Sequence, residues 1–286
     1  MKQAAFDIDL PDRLRSGVVF ASPHSGAYYP DSFKNKTILA DDQIRSSEDA
    51  FVDELYSAAP ACGVPLLKAR MPRAYVDLNR SCDELDPALI EGVKKQGHNP
   101  RVASGLGVIP RVVANGRAIY RGKLPLAEAH WRIETYWRPY HQALSDLLAD
   151  AREAFGQAIL VDCHSMPHEA IEAASGRSGA KPDVVLGDRF GASAAEEVVE
   201  HIEAAFRRAG LRVVRNSPFA GAYITQAYGR PSRRQHAVQV EINRSLYMDE
   251  RRVVRNGNFD AIREILNNVT DEIASYGADR LPCAAE

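Results

Sequence analysis

The sequence predicts a single-domain α/β fold in which a mixed, mostly parallel central sheet is flanked by helices. Short apolar runs alternate with segments of helical periodicity, and this alternation is typical of a sheet with helices on both faces. The 286 residues suffice for one large domain, and a composition of 45% hydrophobic and 26% charged residues is ordinary for a globular protein. No internal repeat or domain boundary is visible, so residues 1–286 are treated as one domain.

Apolar runs bounded by turn residues predict the strands of this sheet. Such runs occupy residues 17–21, 64–69, 75–78, 159–161, 183–187, 211–214 and 237–242.

Apolar residues at helical spacing predict four helices, over residues 41–60, 126–155, 193–209 and 259–274. Pro60 ends the first helix, and Pro139 predicts a break or kink within the second. Residues 81–125 are rich in Gly, Pro and charge and have weak periodicity. We expect a long surface excursion there, with a hairpin at Asn115-Gly116, and such a long loop is often a functional lid.

The net charge and the cysteine content indicate which binding partners and which cellular compartment to expect. The formal net charge is −2 and the basic residues are scattered, so we expect neither nucleic acid nor membrane as a partner. Neither a signal peptide nor a membrane span is predicted. The four cysteines, including Cys283, form no closely spaced pair, which indicates free thiols in a reducing compartment. We therefore expect a cytoplasmic monomer or small homo-oligomer that acts on a small molecule.

Two histidines, His24 and His164, each follow a predicted buried strand. Because sites in open α/β sheets lie at the carboxyl ends of strands, both can converge on one metal ion with an open coordination position. Each histidine alone is equally well explained as a structural residue. A carboxylate from Glu48, Asp49 or Asp53 would complete the set. Asp49 and Asp53 share one face of the predicted helix, so one can bind the metal while the other orients a histidine.

Polar residues also project from two other predicted strands. Asn79 and Arg80 end the third strand, where a guanidinium group can bind a carboxylate in bidentate fashion. The alternative is a surface pair between Arg80 and Asp77. Glu241 lies within the last strand, where an acid is unusual, and there it is a candidate general base. The alternative for Glu241 is a salt bridge on an exposed sheet face.

The segment 219–231 mixes glycine, aromatic residues and one arginine. Tyr223, Thr225 and Arg230 are candidates to complete a polar pocket for a substrate. An ordinary loop explains the same pattern equally well.

Taken in order, these motifs resemble those of the N-formylglutamate amidohydrolase family. They are SPHSG (22–26), ED (48–49), VDELY (52–56), YVDLNR (75–80), DCHS (162–165), GAYIT (221–225), YGRP (228–231), HAVQVEIN (236–243) and YMDE (247–250). Each motif alone is weak, but the ordered set is specific and spans about residues 17–265.

The resemblance implies a zinc-carboxypeptidase-like (phosphorylase/hydrolase-like) fold, related to aspartoacylases, with one Zn²⁺ per chain. His24 and His164 would be zinc ligands. The carboxylate that follows the histidine by three residues in carboxypeptidases is absent, because position 27 is Ala27. The third ligand is then expected from Asp49, with Glu48 as the second choice.

The resemblance also implies a reaction. Arg80, helped by Asn79, would hold a substrate carboxylate, and Glu241 would act as general base toward a metal-activated water. The reaction would convert N-formyl-L-glutamate to formate and L-glutamate, a closing step of one histidine-degradation route. A zinc deacylase for another N-acyl amino acid is the nearest alternative. A metal-free binder of acidic small molecules is a second, although a binder has no need of a general base.

Overall fold

A seven-stranded mixed sheet forms the centre of the molecule in a computed structural model, which describes residues 4–94, 99–175 and 181–278. Its strands are β1 (Phe6–Asp9), β2 (Val18–Ser22), β3 (Leu66–Ala69), β4 (Ala158–Met166), β5 (Val184–Gly187), β6 (Val213–Arg215) and β7 (Gln235–Asn243), in the order β1-β3-β2-β4-β7-β5-β6. A separate ribbon pairs β8 (Met248–Asp249) with β9 (Val254–Arg255).

The four central strands β3, β2, β4 and β7 are mutually parallel. β1 joins β3 and β5 joins β7 in antiparallel fashion, whereas β6 is parallel to β5. The predicted α/β class with a mixed, mostly parallel sheet is therefore confirmed. Because the central strands share a direction, their carboxyl ends meet at one edge, and this arrangement positions the site.

Helices cover both faces of the sheet. They are α1 (Asp31–Lys34), α2 (Asp41–Ile44), α3 (Val52–Leu55), α4 (Pro100–Ala103), α5 (Leu126–Arg132), α6 (Arg138–Phe155), α7 (His168–Ser175), α8 (Glu196–Arg208), α9 (Tyr223–Tyr228) and α10 (Phe259–Ala278). None of those in the described ranges is long and apolar enough to cross a membrane.

The described part of the core has two large clusters, one on each face of the sheet, and a small third cluster of Met166, Ile171 and Val185. Val19 packs with Tyr140 and other residues of α6 on one face. Val18 and Phe20 pack with α3, α8 and α10 on the other. Successive residues of β2 point to opposite faces and all are buried, which is why its sequence reads as one continuous apolar run.

The predicted helix over 41–60 is wrong. The segment breaks into α2, a 3₁₀ turn at Arg45–Ser47 and α3, with residues 48–51 outside any helix. Phe51 adopts a left-handed backbone with φ of 67°, and the Asp49 N–H donates to the His24 carbonyl at 3.0 Å instead of continuing a helix. The tertiary contact with His24 thus overrides local helical periodicity.

The predicted strand over 75–78 is also wrong. Tyr75 belongs to a turn, and the residues that follow lie outside any strand. The Asp77 carboxylate accepts a hydrogen bond from the Asn79 N–H at 2.9 Å, a local side-chain contact that competes with strand pairing.

Other differences concern boundaries and short elements. β1 and α9 were not predicted, and β4 extends to Met166, well beyond the predicted end of the strand at residue 161. The helix over 126–155 is interrupted by a π-helical turn, Ile133–Trp137, just before Pro139, as the missing N–H of proline predicts. The hairpin at Asn115-Gly116 is confirmed by the antiparallel bridge between Val112 and Ala118.

The predicted free thiols are present at Cys62, Cys82 and Cys163, whereas Cys283 lies outside the described residues.

Candidate active site

Several predicted site residues meet at the carboxyl edge of the parallel strands. His24 follows β2, His164 lies near the end of β4, and Glu241 is the β7 residue that pairs with His164 across the ladder. They line a cavity of about 590 Å³ together with Asp49 and Arg80. The excursion over 81–125, predicted as a lid, supplies part of the cavity wall.

His24, Asp49 and His164 form a buried cluster. The Asp49 Oδ2 atom lies 3.4 Å from Nδ1 of His24 and 3.0 Å from Nδ1 of His164. One ligand atom from each residue lies within 4.8 Å of the others, and the three side chains could hold a metal ion. Two imidazoles and one carboxylate are the donor set of many zinc sites with an open position.

The two other acids weighed as ligands lie elsewhere. Glu48 accepts hydrogen bonds from Tyr29 Oη and from Arg45 Nε, both at 3.0 Å. Asp53 does not line the cavity, and the expectation that it supports a histidine from the same helix face is wrong because that helix does not form. Burial and the neighbouring Glu54 raise the pKa of Asp53 to about 6.

Asp77, and not Asp53, orients a histidine of the cluster. His24 Nε2 lies 2.8 Å from Asp77 Oδ1, whereas His24 Nδ1 is buried without a hydrogen-bond partner. With its proton on Nε2, His24 turns the Nδ1 lone pair toward Asp49. Burial alone would raise the pKa of Asp77, but Arg73, at 3.0 Å, and His24 hold it well below the ordinary value.

Asp162 stands beside the second imidazole. His164 Nε2 lies 3.1 Å from Asp162 Oδ1 and 3.1 Å from Asn79 Nδ2. Burial would lower the pKa of His164, but Asp162 and Asp49 outweigh it and raise that pKa well above its usual value. The surrounding carboxylates therefore favour positive charge at this position.

Arg244 holds the far oxygen of Asp49. Its Nη2 donates to Asp49 Oδ1 at 2.6 Å, and its Nε donates to Ser165 Oγ at 3.1 Å. Burial would raise the pKa of Asp49, but the hydrogen bond with His164, the neighbouring His24 and the charge of Arg244 hold it well below its ordinary value. Asp49 is thus an anion whose Oδ2 faces both histidines.

The charges of this region fit a divalent cation. Four buried carboxylates surround the two imidazoles: Asp49, Asp77, Asp162 and Glu241. Two of them are paired with a guanidinium group, Asp77 with Arg73 and Asp49 with Arg244. When all four acids are ionised, two negative charges lack a fixed counter-charge. Buried charge is costly unless it is paired or bound to metal. The orphaned Nδ1 of His24 offers a donor atom for such a cation.

Glu241 is buried and has no ion-pair partner among the described residues, so the alternative of an exposed salt bridge is wrong. Gln239 Nε2 donates to Glu241 Oε1 at 2.7 Å and fixes that oxygen. Burial, with the nearby charge of Asp49, raises the pKa of Glu241 to about 7 against the opposing effect of His164. A carboxylate with such a pKa both accepts and returns a proton near neutral pH.

Arg80 lines the same cavity and is 6% exposed. Its Nε donates to the Leu106 carbonyl at 3.0 Å and its Nη1 to the Asn79 carbonyl at 2.7 Å. The alternative of a surface pair with Asp77 is wrong, because Asp77 pairs with Arg73 and His24. Arg80 is therefore a nearly buried cation held by neutral carbonyl groups.

Asn79 lies against the cluster, but three other predicted pocket residues do not line the cavity. Tyr223 packs against Trp137, Thr225 donates to the Ala222 carbonyl at 2.9 Å, and Arg230 donates to backbone carbonyls of its own loop. The backbone at Gly221-Ala222 reaches the cavity instead.

Sequence reasoning missed three residues that line the cavity: Arg73, Gln239 and Arg244. The sequence pattern could have indicated Arg244 and Gln239 as site residues. Arg244 directly follows β7, and Gln239 lies on the same strand face as Glu241. Arg73 lies in a turn that the sequence pattern did not predict.

The sequence profile of the N-formylglutamate amidohydrolase family matches residues 16–248. This range is most of the chain and includes every residue of the site described above. The chain belongs to this family. The resemblance seen in the ordered motifs is thereby confirmed.

Relatives of N-formylglutamate amidohydrolase type match along nearly the whole chain. The N-formylglutamate deformylase of Pseudomonas aeruginosa is 29% identical over 274 residues, covering 94% of this chain and 96% of that protein. The N-formylglutamate deformylase of Pseudomonas putida is 29% identical over 273 residues, covering 93% and 95%.

The crystal structure of N-formylglutamate amidohydrolase from Ralstonia eutropha JMP134 superimposes with a TM-score of 0.90 at 37% identity, covering 97% of this chain and 99% of that one. A protein from Agrobacterium tumefaciens, 18% identical with a TM-score of 0.64 and 96% coverage of both chains, shares the fold.

Proposed function

We propose that this protein hydrolyses the amide of N-formyl-L-glutamate to formate and L-glutamate in a zinc-dependent reaction. The observation that carries the proposal is the buried cluster of His24, Asp49 and His164 beside Glu241 in one cavity. The names of the relatives from two Pseudomonas species, both N-formylglutamate deformylases, support this substrate. As part of the same proposal, the reaction belongs to histidine degradation in the cytoplasm.

Zinc would be held by the two Nδ1 atoms and by Asp49 Oδ2, because these three atoms face one another. When bound, zinc supplies Lewis-acid activation of water and of a carbonyl group. Asp77 and Asp162 keep the imidazoles in place from behind, and Arg244 orients Asp49. Such supporting contacts fix the tautomer and direction of each ligand.

Glu241 moves the proton. Gln239 occupies its Oε1, so Oε2 is the oxygen that takes the proton from the attacking water. As the bond between the formyl carbon and the nitrogen breaks, the same oxygen delivers that proton to the nitrogen, so that glutamate leaves as the amine. The pKa of about 7 suits both transfers, since neither protonation state of Glu241 is strongly favoured at neutral pH.

Arg80 binds a substrate carboxylate. Its guanidinium group is nearly buried, faces the cavity and, within the described residues, donates hydrogen bonds only to neutral carbonyl groups. A carboxylate there forms charge-assisted hydrogen bonds in a place shielded from water. Asn79, which contacts His164 at 3.1 Å, places Arg80 next to the reacting end of the substrate.

A zinc deacylase for another N-acyl amino acid remains the competing proposal, because it would use the same residues. Formate release from N-formyl-L-glutamate, compared with acetate release from N-acetyl-L-glutamate, separates the two. We expect the formyl substrate to be preferred about 10-fold to 200-fold in kcat/KM, since one excess methyl group changes the discrimination of a fitted pocket by roughly this range. Equal rates, or a preference for the acetyl substrate, would favour the deacylase.

A further inference from the structure

Two arginines in the active-site cavity have no acidic partner among the described residues. Four arginines line this cavity: Arg73, Arg80, Arg101 and Arg244. Arg73 and Arg244 form ion pairs with two acids of the candidate metal centre. Arg80 and Arg101 are bound to no carboxylate in the described ranges. The cavity therefore has an acidic end, at the histidines, and a cationic end.

The backbone ties Arg101 to Arg80. Arg80 Nε donates to the Leu106 carbonyl at 3.0 Å, and the Leu106 N–H donates to the Arg101 carbonyl at 2.8 Å. Arg101 is further held at the start of α4, where its N–H donates to Asn99 Oδ1 at 3.0 Å. Burial lowers the pKa of Arg80, and the charges of Arg73 and Arg101 lower it further against the effect of Asp77. The guanidinium groups of Arg80 and Arg101 are thus electrostatic neighbours.

The substrate of the proposed function, on which this step rests, carries two carboxylates. Arg80 is the nearly buried cation beside Asn79, so it faces the α-carboxylate, next to the scissile amide. Arg101 is exposed and reaches the cavity from α4, within the excursion over 81–125. We propose that Arg101 binds the γ-carboxylate of the substrate and sets the preference for an acidic over a neutral side chain.

The contribution of Arg101 is moderate, because the group lies near solvent. A hydrogen bond between charged partners is worth about 1.5–3 kcal/mol, which corresponds to roughly a tenfold to hundredfold change in binding. The side-chain amide of N-formyl-L-glutamine has nearly the same shape as the γ-carboxylate but lacks its charge. The two substrates together therefore isolate the charge interaction.

The test compares the Arg101→Gln variant with the wild type on N-formyl-L-glutamate and N-formyl-L-glutamine. We expect kcat/KM for the acidic substrate to fall about tenfold to hundredfold, mainly through KM, and to change less than about twofold for the neutral one. Arg121→Gln is the matched control, because Arg121 is an exposed arginine of the same excursion that does not line the cavity. This control should keep the wild-type preference.

Two results would overturn the proposal: an equal loss on both substrates, or an unchanged preference in Arg101→Gln. Calorimetric binding of the same two compounds gives a second readout that needs no turnover. A wild type that releases no formate but binds the acidic compound more tightly, with this preference lost in Arg101→Gln, would contradict the proposed reaction and keep the role of Arg101. A wild type that binds neither compound would contradict both.

Discussion

Nε2 of His24 lies 2.8 Å from Oδ1 of Asp77, although 53 residues separate them in the chain. The contact leaves Nδ1 of His24 buried without a hydrogen bond and directed at Asp49. A carboxylate that binds the far nitrogen of a metal-ligating histidine fixes the tautomer and makes the imidazole a stronger ligand. Asp77 therefore holds His24 in the orientation that metal binding through Nδ1 would need.

Replacing Asp77 by Asn should weaken zinc binding by about 10-fold to 100-fold, because an amide supports the imidazole less strongly. Competition against a chromophoric chelator measures this affinity. Asp53→Asn is the matched control, since Asp53 does not line the cavity, and it should bind zinc as the wild type does. Equal zinc affinity in both variants would contradict the role of Asp77.

The Glu241→Gln variant should keep zinc and lose turnover by at least about 100-fold, which is the usual scale for removal of a general base. The amide preserves the shape and the contact with Gln239 but cannot accept the proton. Metal analysis and formate release on the same preparation measure both properties. Loss of zinc from this variant would instead make Glu241 a metal ligand.

Arg80→Lys should raise KM for N-formyl-L-glutamate by about tenfold or more with a smaller effect on kcat, because lysine cannot form the two parallel hydrogen bonds of a guanidinium group. Steady-state kinetics of formate release gives both parameters. An unchanged KM would show that the substrate carboxylate binds elsewhere in the cavity.

His141 should make the fold sensitive to acid. Its Nε2 donates to the Leu78 carbonyl at 2.9 Å, its Nδ1 lies 2.9 Å from Tyr228 Oη, and burial lowers its pKa from 6.5 to about 4. The pKa of His141 is lower in the folded state than in the unfolded chain, so the neutral imidazole stabilises the fold. This contribution to the free energy of unfolding is present above pH 6.5 and is lost as the pH falls toward 4. Between pH 7.5 and pH 5 the free energy of unfolding should fall by about 2 kcal/mol from this group.

Urea unfolding of the wild type and of His141→Gln at both pH values measures this contribution. The variant has no titrating group at this position, so its loss of stability on acidification should be smaller. The same loss in both proteins would show that His141 does not titrate as the structure indicates.

The parts of the fold that were predictable from sequence are those whose pattern reflects burial alone. β2 and β4 are covered on both faces, so each reads as an apolar run, and the histidine that follows or ends it falls at the sheet edge. The segment over 41–60 was predicted wrongly because a distant contact decides it: the Asp49 N–H donates to the His24 carbonyl. In the segment over 75–78 the local contact between Asp77 and Asn79 is joined by a distant one, in which the Asp77 N–H donates to the Val108 carbonyl.

The residues of the candidate site also divide into those that the strand pattern predicts and those that it does not. His164 and Glu241 lie within β4 and β7 and His24 lies two residues after β2, so their positions at one edge follow from parallel pairing. Thr225 and Arg230 do not line the cavity, because Thr225 donates to the Ala222 carbonyl and Arg230, which follows α9, donates to the Gly229 carbonyl. The pair of Arg73 and Asp77 was not predicted, because the turn that brings the two side chains together was read as the start of a strand.

Titration of zinc into metal-free protein, with formate release from N-formyl-L-glutamate as the readout, tests the central claim most directly. Activity should rise with added zinc and reach a plateau at one zinc per chain in the wild type. Glu48→Gln should follow the same curve, because Glu48 is held by Arg45 and Tyr29, whereas Asp49→Asn should need far more zinc. Full activity without metal, or no formate at any zinc concentration, would contradict a zinc-dependent deformylase.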